Sequence, residues 1–151
     1  MLKTGDDVSS VQFEDSDGKR YSWNELRNYK AIAIFFYPKD FTSVCTAEVC
    51  HFRDRYDEIV QLGGASFGVS LDGGDKHHEF EKAYRLPFKL VYDRDKILGK
   101  LFGTLRLGGL LKHKRATFII GGEGKILYVI HNEFNADIHA DRFIEILKTL
   151  Q

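Results

Sequence analysis

The chain has 151 residues, of which 43% are hydrophobic and 29% are charged. This length and composition fit one globular domain over residues 1–151 and argue against a disordered chain. Lys plus Arg and Asp plus Glu number 22 each, so the formal net charge is zero. No overall field attracts nucleic acid or an anionic membrane, and we expect the protein to bind neither.

The N-terminal segment does not resemble a signal peptide, because residues 1–7 include two acidic residues and no apolar core. The longest strongly apolar run, Ala31 to Tyr37, is far too short to cross a bilayer. We therefore expect a cytoplasmic protein whose two cysteines, Cys45 and Cys50, are kept reduced. A close pair in that compartment is more typical of a catalytic, redox-sensing or metal-binding role than of a structural disulfide.

Alternation and turn residues predict the elements in chain order. Val11 and Phe13 alternate with polar neighbours ahead of an Asp17-Gly18 turn, which indicates a β-hairpin. The apolar run from Ala31 to Tyr37 is typical of a central strand buried on both faces. Further predicted helices cover residues 23–28, 43–62, 75–85, 96–102 and 138–150. Further predicted strands cover residues 65–70, 90–92, 116–120 and 125–130.

This order of elements predicts an α/β fold with a mixed central sheet flanked by helices. It resembles the order of the thioredoxin fold, with the β-hairpin added at the N-terminus. On the wheel of the 43–62 helix, the apolar residues that fall within about 60° of Cys45 are Val49, Phe52, Tyr56, Ile59 and Val60. The cysteine thus lies in line with the stripe that we expect to be buried.

The segment between the central strand and this helix carries the most chemical information. Cys45 falls in the first helical turn, where free backbone N–H groups and the helix dipole favour a thiolate over a thiol. Thr42, three residues earlier, can cap the helix or hydrogen-bond a small ligand over the sulfur. Pro38 ends the strand rigidly and can form one wall of a small, poorly hydrated pocket.

Pro38, Thr42 and Cys45 together form the pattern Pro-x-x-x-Thr-x-x-Cys, and the segment resembles the active-site motif of the peroxiredoxins. Cys50, five residues further along the same helix, resembles the second cysteine of the bacterioferritin comigratory protein, or peroxiredoxin Q, branch. Arg115, which precedes a late strand, is similar to the family's distal arginine. The resemblance covers almost the whole chain and includes the order of elements.

The resemblance implies a thiol peroxidase that acts on hydrogen peroxide and organic hydroperoxides. Cys45 would attack the peroxide, with Arg115, Thr42 and its own backbone N–H as donors, and would become a sulfenic acid. Cys50 would condense with it to an intramolecular disulfide, which a thioredoxin or glutaredoxin-like reductant would reduce. Such an enzyme would need no cofactor or metal and would act as a monomer or weak homodimer.

Plainer interpretations of the same residues stay open. Cys45 alone could be a small core residue, and Cys50 could be an inert thiol because it projects about 140° away from Cys45. Thr42 would cap the helix in any helical protein, and Arg115 alone would be an ordinary solvated residue at a strand edge. Glu48 is either a first-turn acid favoured by the helix dipole or a partner that orients Arg115.

Other functional classes fit parts of the pattern. A thiol–disulfide oxidoreductase normally places Cys-x-x-Cys at a helix start, whereas four residues separate the two cysteines here. A redox sensor would consume peroxide slowly and change its affinity for a partner when Cys45 is oxidised. A metal site of Cys45, Cys50 and His51 is disfavoured, because adjacent helical side chains diverge by about 100°. We expect His77 and His78 to lie on a solvent-exposed helix face.

Overall fold

A computed structural model describes residues 1–107 and 112–151 of the chain. The strands in these ranges are β1 (Phe13–Glu14), β2 (Arg20–Tyr21), β3 (Ala31–Phe36), β4 (Gly64–Ser70), β5 (Leu90–Tyr92), β6 (Ala116–Gly121) and β7 (Ile126–His131). The helices are α1 (Trp23–Leu26), α2 (Ser43–Asp54), α3 (Tyr56–Gln61), α4 (Gly74–Tyr84), α5 (Ile97–Phe102) and α6 (Ile138–Thr149). A short 3-10 turn at Arg94–Lys96 precedes α5.

Five strands form the central sheet, in the order β5-β4-β3-β6-β7. β3 pairs with β4 in parallel and with β6 antiparallel, while β5 is parallel to β4 and β7 is antiparallel to β6. β1 and β2 form a separate antiparallel hairpin with Phe13 opposite Tyr21. The structure thus confirms the predicted mixed sheet with an N-terminal hairpin.

The central strand β3 is buried on both faces, as its unbroken apolar run predicts. One face, with Ile34 and Phe36, packs in the cluster that includes the hairpin and α5. The other face, with Phe35, packs under α2 and α6. Phe35 stacks on Phe52 of α2, with ring centroids 4.2 Å apart and an interplanar angle of 8°. This stack fixes α2 to the sheet beyond its first two turns.

The predicted helix over residues 43–62 is wrong as a single element, because the helix breaks at Arg55 (φ −106°, ψ 10°). Tertiary contacts hold the break, since the Arg55 guanidinium donates to Asp141 of α6 at 2.7 Å. The break changes the helical phase of α3, so Ile59 is buried whereas Val60 is 55% exposed. Val60 therefore does not belong to the buried stripe that the wheel predicts.

The other predicted elements are present with bounds that differ by a residue or two. None of the helices in the described part of the chain combines the length and the apolarity that a bilayer crossing requires.

Candidate active site

The register between β3 and β6 brings two distant parts of the chain together. Phe36 lies opposite Ala116, so Arg115 lies beside the loop that follows β3. Side chains alternate between the faces of a strand, and this alternation places Arg115 on the face that α2 covers. Cys45 lies on that face in the first turn of α2, and Nη2 of Arg115 donates to its Sγ at 3.3 Å.

The Cys45 side chain is only 1% exposed, and it belongs to the cluster formed by Val49 and Phe52 with the sheet. The N–H of Thr46 donates the helical hydrogen bond to the C=O of Thr42 at 2.8 Å. The Cys45 N–H lies one residue earlier, among the helix-terminal donors that have no partner within the helix. A thiolate at this position therefore meets both the positive end of the helix dipole and a guanidinium.

Arg115 is held in place from three sides. Its Nε donates to the C=O of Glu133 at 3.0 Å, and its Nη1 donates to Oε1 of Glu48 at 2.8 Å. Its backbone N–H donates to the Glu133 carboxylate at 3.2 Å. Burial opposes the charge of Arg115, but Glu48 and Cys45 outweigh it and raise the pKa of Arg115 above its usual value. The guanidinium is thus a fixed cation aimed at the sulfur.

Glu48 lies fully buried behind the arginine, one helical turn after the cysteine. Its contact with Arg115 supports the hypothesis that it orients the guanidinium. Burial raises the pKa of Glu48 to about 8, and the lowering effect of Arg115 only partly offsets it. Within the described residues no hydrogen bond reaches Oε2 of Glu48, which lies 3.7 Å from Nδ1 of His139.

His139 is a neutral imidazole beneath the site. A carbonyl can only accept, so Nε2–H of His139 donates to the C=O of Asn132 at 3.0 Å and Nδ1 accepts from the Thr117 hydroxyl at 2.7 Å. Burial lowers the pKa of His139 to about 4. Sequence reasoning missed both His139 and Glu133, since neither belongs to a recognisable motif. Only the folded contacts bring Glu133 to Arg115 and His139 to Glu48.

Thr42 is the N-cap residue of α2 by its backbone conformation, as predicted, but its hydroxyl does not cap the helix. The hydroxyl instead donates to the C=O of Lys39 at 2.9 Å. Its hydrogen is therefore engaged while its lone pairs stay available, which favours an acceptor role toward a ligand and argues against the predicted donor role. Pro38 is half-buried in the same loop, directly after Tyr37.

Cys50 is half-buried and does not lie in bonding contact with Cys45, and both are free thiols. Burial raises the pKa of the Cys50 thiol. The helix from Ser43 to Asp54 is unbroken. Five residues of α-helix separate the two Cα atoms by roughly 8–9 Å. A disulfide needs a separation below about 7 Å, so it cannot form in this conformation.

The prediction that both histidines of α4 face solvent is wrong for His77, which is fully buried. The loop after β3 covers it, and Nδ1 of His77 lies 2.6 Å from Oδ2 of Asp40. His78 is exposed and contacts Asp17. Over residues 1–107 and 112–151, no group of three or more His, Cys, Asp or Glu side chains is placed to hold a metal ion.

A thioredoxin-like sheet with a cysteine and an arginine in contact at a helix start defines the class of thiol-dependent oxidoreductases. The model of the AhpC/TSA family matches residues 4–129, and the chain belongs to this family. It is therefore a thiol-dependent peroxidase of the peroxiredoxin type.

Individual relatives agree with this assignment. Chloroplastic peroxiredoxin Q of Populus jackii is 32% identical over 99% of this chain and 70% of its own length. The crystal structure of peroxidoxin BcpB from Mycobacterium tuberculosis has a TM-score of 0.92 and 34% identity, covering 100% of this chain and 99% of that one. The bacterioferritin comigratory protein of Xanthomonas campestris has a TM-score of 0.84 and 26% identity, covering 95% and 98% of the two chains. These likenesses confirm the predicted family and fold.

Proposed function

We propose that this chain reduces hydrogen peroxide and organic hydroperoxides with Cys45 as the nucleophile. The observation that carries the proposal is the Cys45 sulfur held 3.3 Å from Nη2 of Arg115 at the start of α2. The family implies a hydroperoxide substrate and a thiol reductant. The related Xanthomonas campestris protein is described as having alkyl peroxide reduction activity, which supports an organic substrate.

In the first step the Cys45 thiolate attacks one peroxide oxygen, so an S–O bond forms as the O–O bond breaks. Hydroxide or alkoxide leaves and takes a proton from solvent, and Cys45 becomes a sulfenic acid. Negative charge spreads from sulfur onto the two oxygens during this step. Nη2 of Arg115 can stabilise that charge without reorganising, because Glu48 and Glu133 already fix the guanidinium.

Thr42 and Pro38 would orient the peroxide. The Thr42 hydroxyl donates to the C=O of Lys39, so its lone pairs can accept the O–H of a hydroperoxide. That bond would decide which oxygen faces the sulfur. Pro38, at the other end of the same loop, would limit the access of water to the reacting atoms.

Cys50 would then attack the Cys45 sulfenic acid, forming the disulfide and releasing water. The intact helix forbids this step, so the first turns of α2 must unwind. Unwinding also exposes Cys50, which removes the burial that raises its pKa and makes its thiolate more available. Phe52 stays stacked on Phe35, so the unwinding ends near residue 51.

A dithiol donor of the thioredoxin or glutaredoxin kind would return both cysteines to thiols by exchange. Since resolution occurs within one chain, the cycle needs no second copy, and we propose a monomer or weak homodimer with a single domain over residues 1–151. We also propose a cytoplasmic location, because the cycle depends on a supply of reducing thiols.

Intact mass after a stoichiometric peroxide pulse tests the chemistry directly. Wild type should lose two hydrogen atoms as the disulfide forms, whereas Cys50→Ser should gain one oxygen atom on Cys45. A thiol–disulfide oxidoreductase would instead reduce insulin efficiently and consume peroxide poorly. A covalent dimer through Cys45, with free Cys50, would refute intramolecular resolution.

A further inference from the structure

A second buried polar cluster lies next to the peroxide site, and within the described residues no hydrogen bond joins it to Cys45 or Arg115. It consists of Tyr37, Asp40 and His77, whose side chains are fully buried or nearly so. The Tyr37 hydroxyl donates to Oδ1 of Asp40 at 2.5 Å, and Nδ1 of His77 lies 2.6 Å from Oδ2. Nε2 of His77 lies 2.9 Å from the C=O of Val91 at the edge of the sheet. None of these side chains has a role in the reaction steps given above.

The hydrogen-bond partners determine how many protons this cluster carries and therefore its net charge. Burial raises the pKa of the Tyr37 phenol well above its usual value, so the hydroxyl keeps its proton and donates. The C=O of Val91 can only accept, so Nε2 of His77 carries a hydrogen. The short contact between Nδ1 and Oδ2 then needs one further proton, shared by His77 and Asp40. The pair is therefore neutral as a whole, which lets it be buried without an uncompensated charge.

The cluster fixes Asp40, and Asp40 lies in the middle of the loop that carries Pro38 and Thr42. The backbone N–H of Asp40 is fixed as well, since it donates to Oδ2 of Asp72 at 2.7 Å. The next residue, Phe41, has φ 65°, a left-handed conformation that a residue with a Cβ adopts only at a cost. The loop therefore needs an external anchor to keep its shape.

One face of α4 supplies that anchor. His77, Phe80 and Tyr84 follow the i, i+3, i+7 spacing of a single helix face. The Phe41 ring packs on Phe80 and Tyr84, with centroids 4.9 and 6.3 Å away, while His77 binds the neighbouring Asp40. α4 thus holds the loop at two successive residues, directly before Thr42.

We propose that His77 is a positioning residue for the peroxide step, which acts through Asp40 to fix the loop that presents Thr42 and Pro38 to the substrate. The proposal rests on the proposed peroxidase function of the same site. It assigns to a helix remote from the sulfur the task of keeping the peroxide-contacting loop in register with Cys45.

Two amide substitutions distinguish the two hydrogen bonds of the His77 imidazole, one to Asp40 and one to the C=O of Val91. In His77→Asn the amide nitrogen replaces Nδ1 and can still donate to Asp40, whereas in His77→Gln it replaces Nε2 and can reach only Val91. Neither amide can carry the shared proton, so its loss is common to both variants. Misplacing a reacting group costs on the order of tenfold to a hundredfold in rate, so we expect the rate constant of His77→Gln to be lower than that of His77→Asn by about this factor. His78→Gln, at an exposed neighbouring position of the same helix, is the matched control and should keep the wild-type rate.

Stopped-flow measurement of Cys45 oxidation gives the second-order rate constant for peroxide, and turnover with saturating peroxide gives kcat. His77→Gln should lower the second-order rate constant for peroxide but leave kcat unchanged where re-reduction limits turnover. A general loss of stability would not separate the two quantities in this way. If His77→Gln does not fold, Tyr37→Phe removes one hydrogen bond to Asp40 and keeps the ring in the core. Tyr37→Phe should then show the same split, to a smaller extent.

Equal rate losses in His77→Asn and His77→Gln, or a wild-type rate constant in His77→Gln, would overturn the proposal. Failure of the proposed function looks different, because wild type itself would then form no sulfenic acid. In that case hydrogen exchange still tests whether His77 anchors the loop, because His77→Gln should raise exchange at the amides of residues 40–44 more than His77→Asn does. Unchanged exchange in that segment counts against His77 as the anchor.

Discussion

Replacing Arg115 by lysine tests the centre of the proposed mechanism while keeping a positive charge. The guanidinium donates three hydrogen bonds, at 2.8 Å to the Glu48 carboxylate, 3.0 Å to the backbone C=O of Glu133 and 3.3 Å to the Cys45 sulfur. An ammonium group has no planar fork and cannot reproduce all three at once. The contact to sulfur is the one that the transition state strengthens, since charge moves there onto the peroxide oxygens.

Removing one donor of this kind from a transition state costs about 3 kcal/mol, which corresponds to roughly a hundredfold in rate. We therefore expect Arg115→Lys to lower the second-order rate constant for Cys45 oxidation by about that factor. The buried Glu48 carboxyl also loses a charge-assisted hydrogen bond, so the free energy of unfolding should fall by about 1.5–3 kcal/mol. Stopped-flow oxidation and urea unfolding measure the two effects separately.

Arg106→Lys is the matched control, because Arg106 binds the same Glu133 carboxylate but does not contact the sulfur and is partly exposed. It should change the rate constant only slightly. A wild-type rate in Arg115→Lys would refute the role of the guanidinium fork, as would an equal loss in both variants. The two side chains of Arg115 and Glu48 are in contact, so their effects should not be additive. The double variant Arg115→Lys, Glu48→Gln should lose less free energy of unfolding than the sum of the losses in the two single variants.

Three further outcomes follow from the site. Cys45→Ser should abolish peroxide turnover, because a serine hydroxyl does not ionise at neutral pH, and substantial residual activity would exclude Cys45 as the nucleophile. On oxidation, hydrogen exchange should show the amides from Thr46 to His51 losing protection, whereas Cys50→Ser should stall as the sulfenic acid and keep that protection. As the pH falls from about 6.5 to 4, the unfolded state takes up a proton on His139 that the folded state does not, and this lowers the free energy of unfolding by up to about 3 kcal/mol. Glu48, whose pKa is raised to about 8, acts in the opposite direction, so the contribution of His139 is the difference between wild type and His139→Gln. His139→Gln, which can still donate to the C=O of Asn132, should therefore lose less stability than wild type as the pH falls, in urea titrations at several pH values.

The parts of the site that a local sequence pattern encodes could be predicted without the structure. Cys45 and Thr42 lie where a buried strand passes into a helix, and the apolar run and the helix periodicity locate that junction. Arg115 could be placed only by resemblance, because nothing in its own neighbours distinguishes it from a solvated basic residue. The fold followed from the order of strands and helices, which depends little on exact bounds.

The remaining features depend on contacts between distant parts of the chain. The break at Arg55 is fixed by Asp141, which lies 86 positions later, so no local pattern signals it. His77 is polar on a helix with other polar residues, and only the covering loop makes it a buried residue. Glu133 binds Arg115 and His139 lies beside Glu48, and their importance appears only once the sheet register is known.

That register has a consequence for how the chain tolerates change. Arg115 reaches the sulfur because Phe36 faces Ala116 across the ladder, and a slip of one residue would turn Arg115 to the opposite side of the sheet. The ladder, and not the length of the segment between α5 and β6, therefore sets the position of the guanidinium. One residue added at the start of β6 should therefore abolish activity in an otherwise folded protein.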